Sequence, residues 1–173
     1  MSKIPNAFKN GKAFIGFLTA GDPTCDKTVE YILAMEEAGC DLIEIGIPFS
    51  DPMAEGVVIQ DANVRALKHD TTTDDVFEIV RKVREKTDIP IVFLTYINPV
   101  FFYGYEKFFK KCNELGVDGI ISPDLPFEEK NEIKKVFCPN CGKEISYYSL
   151  AVEDFAIKKE FKCPHCASIV TKS

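Results

Sequence analysis

Four short apolar runs, each closed by turn residues, constrain this chain more than any other feature: KAFIGFLTAGDP, CDLIEIGIPF, IPIVFLTY and VDGIISPDLPF. They hardly alternate between apolar and polar positions. A strand with one face in water alternates, whereas a near-continuous apolar run belongs to a parallel sheet covered on both faces by helices. The intervening stretches carry the helical period. After the first run Asp26 can cap a helix whose Val29, Ile32 and Leu33 share one face, with Gly39 as its stop. EGVVIQDANVRALKHD and DDVFEIVRKVREK read as amphipathic helices, the second with Val76, Ile79, Val80 and Val83 on one stripe. Tyr105, Phe108, Phe109 and Cys112 line a further helix that Gly116 ends. The expected class is α/β with parallel strands, either a doubly wound sheet or part of a (β/α)8 barrel.

In both architectures the active site lies beyond the C-terminal ends of the strands. Here those ends run into TAGDP, PFSDPMAEG, TYINPVFFYG and SPDLPFEE. Glu44 interrupts the second apolar run close to its exit, and Asp51 and Glu55 follow in the loop. An unpaired buried carboxylate costs several kcal/mol, so burial alone does not place a Glu there. Asp51 reads as a turn residue bonding loop backbone, and His69, next to Lys68 at a helix end, as a surface residue. No G-x-G-x-x-G or Walker sequence is present, which disfavours the nucleotide-binding version of the fold. The N-terminus MSKIPNAFKNGK has no apolar core, and no stretch reaches the length of a membrane span, so a cytoplasmic protein is expected.

The motifs FLTAGDP (17–23), IEIGIPFSDPMAEGVVIQ (43–60), TYINPVFFYG (95–104) and ISPDLPFEE (121–129), in that order, resemble the α subunit of tryptophan synthase. The resemblance implies that residues 1–132 form the first half of a (β/α)8 TIM barrel. It implies a lyase of tryptophan biosynthesis that cleaves indole-3-glycerol phosphate by retro-aldol chemistry to indole and glyceraldehyde 3-phosphate. That chemistry needs no cofactor, and the indole passes to a PLP-bearing β subunit. On the same basis Glu44 is the acid/base, Glu55 is the second catalytic carboxylate, and Phe17 and Tyr96 line the indole pocket. Asn98 and Asp124 match structural or subunit-facing loop positions, and the aromatic cluster at 101–109 is expected as helix core and partner surface.

The chain also departs from that pattern. Glu55 stands where the family has Asp at the residue that contacts the indole nitrogen, and Val57 where it has Pro. A misplacement of about 1 Å can cost on the order of a hundredfold in rate, so the extra methylene matters. After PDLPFEEKNEI the family continues through four more strands and a Gly-rich phosphate site, and this sequence does not. Four strands alone leave two open sheet edges, which invite self-association or a complementing chain. Activity is then expected to need something that completes the barrel. The alternative is a non-catalytic half-barrel that serves protein interaction, or a truncated or fused reading frame.

Residues 133–173 differ in kind. Residues 1–132 carry 14 Lys/Arg against 23 Asp/Glu, whereas 133–173 carry 7 against 4. Cys25, Cys40 and Cys112 are scattered, as inert thiols are, but Cys138, Cys141, Cys163 and Cys166 form two C-x2-C pairs 21 residues apart. Four thiolates suit tetrahedral Zn²⁺, and a closed four-Cys site is structural. The segment therefore reads as a zinc-ribbon-like module, with His165 in a knuckle but not on the metal. Zinc with four thiolates removes most of the local positive charge. No Arg follows Arg84, which argues against nucleic-acid readout.

Overall fold

The computed structural model describes residues 2–125 and, beyond them, the strands Lys135–Phe137, Glu144–Ser146, Glu160–Lys162 and Ile169–Thr171. The chain divides into two compact units, Ser2–Asp124 and Leu125–Ser173. The first holds α1 (Ile4–Ala7), β1 (Ile15–Thr19), α2 (Cys25–Glu37), β2 (Leu42–Gly46), α3 (Val57–Leu67), α4 (Thr73–Arg84), β3 (Ile91–Leu94), α5 (Ile97–Tyr103), α6 (Tyr105–Glu114) and β4 (Gly119–Ile121). Its four strands are all parallel and hydrogen-bonded in the order β1-β2-β3-β4. A doubly wound sheet reverses its strand order at a switch point. This one does not, so of the two architectures left open by the sequence it has the barrel-type winding.

The apolar runs are explained by what covers each face. On the outer face Ile43, Ile45, Ile91 and Phe93 are fully buried under Ile32 of α2 and Val76, Ile79, Val80 and Val83 of α4. Phe77, Phe93 and Phe108 complete that layer with ring centroids 5.3–6.2 Å apart. Gly16 lets α2 approach, because a Cβ there would lie 2.1 Å from the Met35 Cε. Burial of roughly ten large apolar side chains, at about 1.5–3 kcal/mol each, is the main favourable term for this layer. On the inner face the strand entrances are filled by Ile4 and Ala7 of α1 packed on Leu42 and Val92.

Asp118, just before β4, ties that end together. Its carboxylate accepts from the backbone N–H groups of Lys3 (2.5 Å) and Ile91 (3.0 Å) and from Arg84 (3.3 Å). Arg84 also donates to the carbonyls of Ile89 (2.6 Å), Gly116 (2.8 Å) and Leu115 (3.3 Å), while burial pulls its guanidinium pKa down. The cap of α2 differs from expectation. Thr24, not Asp26, is the N-cap and accepts from Lys27 N–H at 3.2 Å, while Asp26 lies in the first turn and accepts from Lys82. Two helices, α1 and α5, are additional to those expected from periodicity.

In the second unit Lys135–Phe137 (β5) pairs antiparallel with Glu144–Ser146 (β6), and Glu160–Lys162 (β7) with Ile169–Thr171 (β8). Cys138, Cys141, Cys163 and Cys166, on which the zinc expectation falls, lie outside the described residues. Among the described residues no helix is long and apolar enough to cross a membrane.

Candidate active site

Strand alternation decides which side chains meet inside the curved sheet. Gly16 faces α2, so Phe17 and Thr19 face inward. The parallel register then sets Phe17 beside Glu44 and Glu44 beside Val92. Glu44 is thus a half-buried carboxyl with apolar residues at both register positions. Burial raises its pKa above the ordinary carboxylate range, and no charge or hydrogen bond among the described residues opposes that shift. The proton is held more tightly because the charged form is poorly solvated there. Gly46, next on the same face, leaves room for that ring: a Cβ would lie 2.9 Å from Phe17 Cζ and would push the ring aside. The aromatic ring therefore lies across the end of β2. Thr19, paired with Gly46, brings the one buried side-chain oxygen without a hydrogen bond among the described residues.

The loop after β2 brings the second carboxylate. Tyr96, just past β3, is 4% exposed, and its ring lies 5.1 Å from that of Phe49. Its hydroxyl donates to Glu55 Oε2 and accepts from the Ala54 N–H at 2.8 Å. The Gln60 amide donates to the Glu55 carbonyl at 2.9 Å, anchoring the same residue from α3. Burial first, and the bond to Glu55 second, push the Tyr96 phenol pKa up. Behind the loop a cavity of about 280 Å³ is lined by Phe49–Pro52 and by Gln60, Asn63, Val64 and Leu67.

The remaining expected residues are placed as follows. Asp51 accepts from Ser50 Oγ rather than from loop backbone, and it is exposed. Asp124 accepts from the Ile97 N–H at 3.1 Å and from Ser122 Oγ at 3.0 Å, so it fixes the start of α5, while Asn98 is exposed. His69 is exposed beyond α3. Phe101 and Phe102 of α5 are 68% and 95% exposed, whereas Phe108 is buried, so the aromatic run divides between surface and core. The register pairs Phe17 with Glu44, and the loop joins Glu55 to Tyr96. The packing of Phe49 on Tyr96 was not foreseen. The clue was in the sequence, since Phe49 is an aromatic within the same turn-rich stretch as Glu55.

Comparison with known proteins decides the family. Residues 5–158 match the tryptophan synthase alpha chain family. The chain belongs to that family. The tryptophan synthase alpha chain of Lactiplantibacillus plantarum is 52% identical over 134 residues, which cover 78% of this chain and 51% of the relative. That of Alkaliphilus metalliredigens is 54% identical over 123 residues, covering 71% and 46%. Among solved structures, tryptophan synthase subunit alpha from Legionella pneumophila superposes with a TM-score of 0.74 at 40% identity, covering 78% of this chain and 53% of that one. A tryptophan synthase complex from Pyrococcus furiosus gives 0.68 at 41% identity, covering 70% and 50%. The fold is the parallel α/β fold of the tryptophan synthase alpha barrel, and the chain spans about half the length of the curated relatives it matches.

Proposed function

We propose that this chain contributes the catalytic carboxylates of an indole-3-glycerol phosphate lyase, with Glu44 as the acid/base. The observation that carries the reading is the half-buried, uncompensated carboxyl of Glu44 on the inner face, flanked in register by Phe17. Cleavage of the bond from indole C3 to the glycerol chain first needs a proton on C3 and loss of the proton from the ring nitrogen. A base then removes the proton of the adjacent glycerol hydroxyl. The hydroxyl oxygen becomes the aldehyde of glyceraldehyde 3-phosphate, the carbon–carbon pair flows back into the ring, and the nitrogen is reprotonated. A carboxyl with a raised pKa suits the proton steps near neutral pH. Glu55 is assigned to the ring nitrogen, and the apolar face of Phe17 to the indole plane. Tyr96 borders the same pocket.

The β subunit of tryptophan synthase is the proposed partner, supported by the match to the Pyrococcus furiosus complex and by the exposed Phe101 and Phe102. The second unit is proposed to hold a structural Zn²⁺ through Cys138, Cys141, Cys163 and Cys166. Four thiols are a donor set that fits zinc, which would fold the module and take no part in the lyase chemistry. In support, each C-x2-C pair falls in sequence between the two strands of a hairpin, and the hairpins have equal strand and connection lengths. The span of about half its relatives' length favours a second reading, a non-catalytic half-barrel that serves interaction through that module.

The test is indole release from indole-3-glycerol phosphate by the full chain with zinc, alone and with a β subunit. Glu44→Gln should lower the rate by at least about 10²-fold, the usual range for a lost general acid/base. No release from the folded wild-type chain in either setting would overturn the lyase reading in favour of the second.

A further inference from the structure

Glu55 sits on a loop, and a loop glutamate has a flexible side chain. Two contacts remove that freedom. Gln60 of α3 holds its carbonyl, and the buried Tyr96 holds its carboxylate. The phenol has a single proton, which goes to Glu55 Oε2, while its lone pair takes the N–H of Ala54 at 2.8 Å. One hydroxyl therefore bridges the backbone and the carboxylate of the same loop, and its own ring is fixed against Phe49. Oε1 of Glu55 has no protein partner among the described residues.

We propose that Tyr96 is a positioning residue for Glu55: it aims the carboxylate and leaves one oxygen to accept a single N–H or O–H donor from the ligand. The role rests on the lyase reading for the identity of that donor, the indole N–H, and adds to the place of Tyr96 beside the pocket. The longer Glu side chain has a use here. It carries the carboxylate back to the β3 exit, where the Tyr96 hydroxyl waits, so the loop is set before any ligand arrives. Preset geometry of this kind lowers the ordering cost of binding and of reaction.

Two measurements on the full chain test it separately from the lyase reading. The first is the ionisation of Tyr96, followed through the ultraviolet tyrosinate band and assigned by difference from Tyr96→Phe. A carboxylate that accepts the phenol proton opposes ionisation, so Glu55→Gln should move the Tyr96 transition to lower pH. Glu55 is on a half-exposed loop, and circular dichroism checks that this variant is folded. An unmoved transition would overturn the clasp. The second is the affinity for indole itself, read by NMR titration. Tyr96→Phe and Glu55→Gln should each weaken binding about tenfold, and the double variant no further, because both remove one device. Additive losses would overturn the positioning role. Indole that fails to bind while the Tyr96 transition still follows Glu55 would overturn the lyase function and leave the clasp standing.

Discussion

In its proposed role Glu44 serves chemistry at a cost to the fold. Its pKa is raised in the folded state, so over the interval between the ordinary carboxyl value and the raised one the native protein binds more protons than the unfolded chain. Stability must fall as pH climbs through that interval. Below it both states are protonated and nothing is lost; above it the loss is complete and constant. Glu44→Gln cannot ionise. Its urea midpoint should match the wild type at low pH, exceed it increasingly as pH rises, and then hold a steady gain. A midpoint that tracks the wild type at every pH would mean that Glu44 is solvated. At this scale the sequence was partly legible. A Glu inside an apolar run, two residues before a Pro-rich loop, announces an unusual carboxyl. The Tyr96–Glu55 bond was not legible, since it joins residues from different loops and depends on where β3 ends relative to β2.

Among the elements, those with strong periodicity were the readable ones. Val76, Ile79, Val80 and Val83 mark α4, and all four are buried as their spacing requires. α4 also carries a full capping box. Thr72 Oγ1 accepts from the Asp75 N–H at 3.2 Å, and Asp75 accepts in return from the Thr72 N–H at 2.8 Å. Thr72→Ala should cost about 1 kcal/mol in chemical denaturation, as loss of an N-cap does. Because the cap lies outside the carboxylate face, the proposed indole release per folded molecule should stay at the wild-type value. α5 escaped notice for a physical reason. It starts at Ile97, contains Pro99 in its first turn and stops at Gly104 with φ 91°, so its seven residues are too few to show a period. Its start is set instead by Asp124, which reaches back to the Ile97 N–H. The N-cap of α2 was misassigned because Thr24 and Asp26 are both cap-forming residues in one turn. Only the extended backbone at Thr24 separates them.

Across the whole molecule, the two ends of the strands have divided tasks. The exits carry Phe17, Glu44, Glu55 and Tyr96, while the entrances carry the α1 plug and the Asp118–Arg84 pair. Asp118 binds α1, α4 and β3 at once, so Asp118→Ala strands a buried guanidinium. It should destabilise the unit by about 3 kcal/mol, the lower end of the range for a broken buried pair, because Arg84 keeps its backbone carbonyl partners. The Tyr96 ionisation should not move in that variant while it remains folded, since the two networks share no residue. The parallel α/β class was readable from the four apolar runs. The barrel-type winding was not readable from those runs, because hydrophobic patterning does not record which strand lies beside which; it was legible only through the four motifs and their resemblance.

The strand order has a consequence for synthesis. Each strand pairs with the one made just before it, so the sheet can grow in step with translation, at roughly 5–20 residues per second, and no strand has to be held for a distant mate. α1 is the exception. It precedes the four strands, but its anchor on Asp118 lies 115 residues downstream. The helix can rest on Leu42 and Val92 once β2 and β3 are made, but its backbone bond to Asp118 waits for the segment before β4, and that bond would mark the completion of the unit.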